Sequence, residues 1–135
     1  MEGMQLYLFS IYNNFNMLLQ DQCCSREQGK RLQELGITSH ATFYHMPAKD
    51  GPHGEYIRYG WHGDAVAPAF TVAELGILLG ESFLSWFDRG LWHCGIQSWG
   101  YMTGITEAQA RAGELISRLE QGDITAEEAN NRLNS

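Results

Sequence analysis

Five histidines (His40, His45, His53, His62, His93) and three cysteines (Cys23, Cys24, Cys94) are the side chains of this chain best suited to metal ligation or nucleophilic chemistry. If residues 41–46 and 55–61 pair as a hairpin, His40 and His62 meet at its open end, with Asp64 just beyond. Two imidazoles and a carboxylate can hold zinc or another transition metal. No His-x-x-His or Cys-x-x-Cys spacing reinforces that set, so it stands only as an alternative. His93-Cys94 puts a base beside a nucleophile in sequence. On a strand, however, successive side chains point to opposite faces, so these two cannot form a dyad. Cys94 is expected in the core and His93 opposite Trp86. Cys24, just ahead of a helix start, is the better reactive thiol, because a helix N-terminus lowers thiol pKa. There is no phosphate-binding glycine loop and no Gly-x-Ser-x-Gly elbow. No catalytic residue and no cofactor are expected.

The elements that must position these side chains are announced by capping boxes of the form Ser/Thr-x-x-Glu/Gln. In such a box a hydroxyl and an acid or amide satisfy backbone donors that a helix start leaves orphaned. Ser25-Arg26-Glu27-Gln28, Thr71-Val72-Ala73-Glu74 and Thr106-Glu107-Ala108-Gln109 open helices over about 26–35, 72–79 and 107–121. Gly36, Gly80 and Gly122 stand at their ends. A fourth box, Thr125-Ala126-Glu127-Glu128, starts a short last helix. Between the first two boxes, 41–46 and 55–61 are β-prone around the turn-forming 47–52 segment. Between the next two, 82–87 and 91–99 flank Asp88-Arg89-Gly90. Residues 62–70 read as a linker. Gly29, Gly76 and Gly113 inside the helices suggest close approach of helix backbone to a sheet.

The layout expected from these signals is a two-layer α+β domain: helix, hairpin, helix, hairpin, helix over one antiparallel four-stranded sheet, with a short C-terminal helix. Residues 1–22, with apolar positions at helical spacing but no useful caps, are expected to be a peripheral extension. Residues 23–121 form the single domain and 122–135 a short helical tail.

With 135 residues, 44% hydrophobic, the chain is sized for one core. A net charge of −7 speaks against a nonspecific grip on phosphate backbones, which needs clustered Lys and Arg. Three cysteines, two of them adjacent, suggest reduced thiols and a cytoplasmic protein. The apolar run 6–12 is too short to span a bilayer, so no membrane partner is expected. Aromatic residues crowd both hairpins. Most are assigned to core and cross-strand pairs, and a surplus on an uncovered sheet face would mark a protein partner or self-association. Trp61, Trp92 and Trp99 are the candidate partner-binding residues.

Two segments carry a resemblance. Glu27-Gln28-Gly29-Lys30-Arg31-Leu32-Gln33-Glu34-Leu35-Gly36-Ile37 resembles the opening helix of small uncharacterised proteins of bacterial mobile elements and phages, notably of gut Bacteroidetes. Pro68-Ala69-Phe70-Thr71-Val72-Ala73-Glu74-Leu75-Gly76 is similar to the middle-helix motif of that group. The likeness spans about residues 23–121 and implies a genetic setting, with no activity or catalytic residue attached. The expectation is therefore a small cytosolic accessory protein acting by protein–protein contact. The alternative is a metal-dependent or ligand-binding enzyme using His40, His62 and Asp64.

Overall fold

The computed structural model describes residues 19–48, 55–96 and 100–135. Most of the 1–22 extension, most of the first turn and Trp99 lie outside the described residues. In chain order the elements are α1 (Arg26–Glu34), β1 (Phe43–Met46), β2 (Tyr56–Tyr59), β3 (Ala67–Ala69), α2 (Val72–Leu79), β4 (Leu84–Asp88), β5 (Leu91–Ile96), β6 (Gly100–Gly104), α3 (Glu107–Gln121) and α4 (Ala126–Asn134).

The expected four-stranded sheet does not form. Among the described residues the strands make two separate three-stranded antiparallel sheets, ordered β2-β1-β3 and β4-β5-β6. The helix–hairpin–helix–hairpin–helix layout falls with it, because each of the first two helices is followed by three strands. The strands missing from the expectation have physical reasons to hide. β3 is Ala67-Pro68-Ala69, fully buried, so it shows neither alternation nor β-branched residues. Its proline is tolerated because an edge strand can lack a donor. β6 is bracketed by Gly100 and Gly104 and looks like turn punctuation.

All four expected hydroxyls cap their helices, but only the first two boxes are reciprocal, and the polar ends of those two also hold elements together. In α1 and α2 both boxes are complete. Gln28 of the first accepts from Ser25 N at 3.1 Å, and its amide donates to Gln109 O of α3 at 2.9 Å. Glu74 of the second also accepts from Thr42 N at 3.0 Å, anchoring the start of β1. Gln109 instead accepts from Ile105 N, at 3.3 Å, and so closes its turn one residue early.

Gly29 places α1 hard against β3. A Cβ there would fall closer than 3.0 Å to the Pro68 carbonyl oxygen and 3.2 Å from Ala67 Cβ. Gly113 likewise faces Met102 of β6. Gly76 departs from the expectation: its space is taken by the Arg111 guanidinium rather than by a strand. Arg111 donates to Val72 O (2.8 Å), Ser85 Oγ (3.0 Å) and Glu107 (2.9 Å), which ties α2 and β4 to α3. The core gathers Leu32, Met46, Phe70, Leu75, Leu78, Leu79, Cys94 and Leu115. The last helix, α4, docks on it through buried Ala129, while Asn130 accepts from Thr38 N and Ser39 N and donates to Gly36 O.

Candidate functional site: the open face of the second sheet

The β4–β5 hairpin closes through Arg89-Gly90, both with positive φ (54° and 82°), the pattern of a two-residue turn matched to strand twist. That turn fixes the register Trp86↔His93 and Ser85↔Cys94, and β6 adds Thr103 opposite His93 and Tyr101 opposite Gly95. Alternation then divides the sheet into two faces. Ser85, Cys94, Met102 and Gly104 point towards α3, where Arg111 bonds Ser85 and a Cβ on Gly104 would meet Ala110 N. Leu84, Trp86, Leu91, His93 and Tyr101 therefore share the opposite face, away from α3.

On that face the rings form one cluster across all three strands. Trp86 stacks on His93 with centroids 5.4 Å apart and planes 17° from parallel. Tyr101 stands edge-on to both, 5.5 Å from Trp86 and 5.1 Å from His93. Gly95 makes room for it, since a Cβ there would lie 2.9 Å from Tyr101 Cβ. Each such aromatic pair contributes about 0.5–1.5 kcal/mol beyond its buried area, so the platform is preformed rather than assembled on binding. Beside it Leu84 is 58% exposed and Tyr101 52%. Leu91 adds further exposed apolar surface.

The residues singled out in the sequence fall elsewhere or only partly here. Trp61 is 70% exposed just past the end of β2, in the other sheet's neighbourhood. Trp92 lies on the α3 side, half-buried, tilted against Phe87 at 5.5 Å. Trp99 lies outside the described residues. Of the histidine set, His62 Nδ1 lies 3.8 Å from Asp64 and accepts from Asp64 N at 3.2 Å, whereas His40 Nδ1 lies 3.4 Å from the Tyr44 hydroxyl. Among the described residues no group of three or more His, Cys, Asp or Glu side chains could hold a metal ion. Cys24 corrects another expectation. Burial overrides the helix terminus and pushes its thiol up to about 12, as it does for Cys23, and Cys94 rises to about 11. The pairing of His93 with Trp86 and the burial of Cys94 agree with the strand alternation read from sequence. Leu84 shares the Trp86 face by the same alternation, whereas Tyr101 joins it only through β6, a strand that its flanking glycines hide in the sequence.

A concave polar cleft of about 330 Å³ lies at the start of α1 and includes Arg26, His45, Glu55 and Gln109. Arg26 Nη1, buried and without a hydrogen bond, lies 2.6 Å from the Glu55 carboxylate, and His45 Nε2 donates to the Cys24 carbonyl at 2.8 Å. Burial lowers the His45 pKa, and the bond to the Cys24 carbonyl, which favours the protonated ring, offsets only part of that. These groups tie α1 to β1 and β2.

No family model, curated protein or solved structure matches the chain.

Proposed function

We propose that this chain is a small accessory protein acting by protein–protein contact through the open face of its second sheet. The observation that carries the reading is the Trp86–His93–Tyr101 cluster, flanked by exposed Leu84 and Leu91, on the face opposite α3. Rigid, partly polar rings beside aliphatic side chains are the chemistry of interface anchors. A base-stacking surface would need cations around it. Here Arg26, Arg31, Arg111, Arg118 and Arg132 are each engaged with carboxylates or carbonyls of the fold. No helix among the described residues is long and apolar enough to cross a membrane. A cytoplasmic location, drawn from the reduced cysteines, and a phage or mobile-element setting, drawn from the sequence resemblance, belong to the same proposal.

The test is a double substitution, Leu84→Lys with Tyr101→Lys, in affinity purification from the native host. Loss of the co-purifying protein, with the thermal transition of the variant kept, is the expected result. A partner set unchanged by the two charges overturns the reading.

A further inference from the structure

The two sheets present four edge strands, and three of them carry a device against pairing with another chain. β2 exposes Arg58, β4 ends on exposed Asp88, and β3 contains Pro68 and is buried beneath α1. The fourth, β6, has neither charge nor proline. Gly100, Tyr101, Met102 and Thr103 are all exposed along it, and its only ladder partner among the described residues is β5.

Beside this edge, on the α3 side, lies a groove of about 240 Å³ lined by Met102, Gly113, Ile116, Ser117, Glu120 and Gln121. A strand added to β6 would lay alternate side chains into that groove and the others next to Tyr101. We infer that the added strand is β6 of a second copy of this chain, paired antiparallel about Met102 to join two β4-β5-β6 sheets into one. The inference refines the contact-surface reading, naming a partner for the sheet's edge and leaving its aromatic face free.

Three observations select a second copy. An antiparallel strand paired with itself is two-fold symmetric, which is the geometry of an isologous dimer. In that register Gly100 opposes Gly104, Tyr101 opposes Thr103, and Met102 meets its own counterpart. The side chain delivered over each groove is then Met102, an unbranched thioether suited to an irregular apolar gap. The third is charge: on a chain of net charge −7, two copies meet least unfavourably where no carboxylate faces another. β6 has none, and the acid nearest on the groove, Glu120, is already 3.7 Å from Arg31.

Sedimentation equilibrium of the full chain reads the outcome. The wild type is expected to show twice the 15.3 kDa chain mass at high concentration and to dissociate on dilution. Met102→Lys and, independently, Met102→Glu are expected to weaken that association at least tenfold, because each sets like charges directly opposite one another at the centre of the new ladder. Leu84→Lys, on the open face, is expected to leave it intact. Concentration-dependent slowing of hydrogen exchange at the β6 amides of the wild type is the variant-free readout. A wild type monomeric at every concentration, or β6 amides whose exchange ignores concentration, overturns the inference while leaving the open-face reading standing. Dissociation by Leu84→Lys but not by the β6 charges also overturns it, and places the contact on the face instead.

Discussion

The same substitution, glycine to alanine inside a helix, is expected to have opposite effects in α1 and α3. Helix propensity alone favours alanine by about 1 kcal/mol at both positions. At Gly29 the new methyl would collide with the Pro68 carbonyl oxygen, a backbone atom of a buried strand, and would sit 3.2 Å from Ala67 Cβ. Neither neighbour is a side-chain end that can swing away, so α1 must withdraw by about 1 Å. That withdrawal strains the bond from Cys24 N to Phe70 O (2.8 Å) just ahead of α1. Overpacking of this kind costs about 3 kcal/mol at the upper end of its usual range, which leaves Gly29→Ala destabilised by about 2 kcal/mol. For a domain of this size the melting temperature should fall by about 6–8 °C. At Gly113 the closest atom is Met102 Cβ at 3.3 Å, with no backbone atom in the way; Met102 is 40% exposed on an edge strand, which can give the few tenths of an ångström required. Gly113→Ala should be neutral or stabilised by up to about 1 kcal/mol. Urea unfolding of both variants beside the wild type measures the difference. A Gly29→Ala protein as stable as Gly113→Ala would refute the docking of α1 on β3.

Glu114→Ala strands the Arg118 guanidinium, 9% exposed and 2.9 Å from that carboxylate, with Ser82 O as its remaining acceptor, so chemical denaturation should show a loss of about 3 kcal/mol. Asn130→Ala removes the bonds to Thr38 N, Ser39 N and Gly36 O, and a loss of about 2 kcal/mol with faster amide exchange in α4 is expected. Because burial lowers the His45 pKa, the unfolded chain binds its proton first. Stability is therefore complete above about pH 6.5 and declines as pH falls below that towards the folded value. His45→Gln, which keeps a donor for Cys24 O, should flatten that decline between pH 7 and 5; identical slopes would contradict the assignment. With their thiols near 12 and buried, Cys23 and Cys24 should alkylate at pH 8 on the order of a thousandfold slower than free cysteine until the chain unfolds. Rapid labelling of the native protein would sink that expectation.

What could be read from the residues was mostly local. Hydroxyl and amide at fixed spacing placed the helix starts at Arg26, Val72, Glu107 and Ala126, because a cap is satisfied within four residues of itself. Asp88-Arg89-Gly90 marked a turn for the same reason. The division into two sheets was not local. It depends on Ala67-Pro68-Ala69 pairing with β1 beneath a helix glycine, and on Gly100–Gly104 pairing with β5, and neither strand carries a pattern of its own. The candidate site was legible in part. Strand alternation separated His93 from Cys94 and paired it with Trp86, but the third ring, Tyr101, needed β6 to exist. Trp92 looked like an anchor by residue type and proves to face α3. Arg111 and Arg118 showed only their i,i+4 spacing to Glu107 and Glu114, because the acceptors that tie them to other elements, Val72, Ser82 and Ser85, lie dozens of residues away.

Site-specific photo-crosslinking in the native host tests the contact-surface claim most directly. A photo-reactive phenylalanine analogue replaces Leu84 on the open face or, as a control, the exposed Glu127 of α4. The open face predicts a discrete crosslinked protein from position 84, none from position 127, and its loss when Tyr101→Lys is added. Equal crosslinking from both positions, or a product at position 84 that survives Tyr101→Lys, would contradict it.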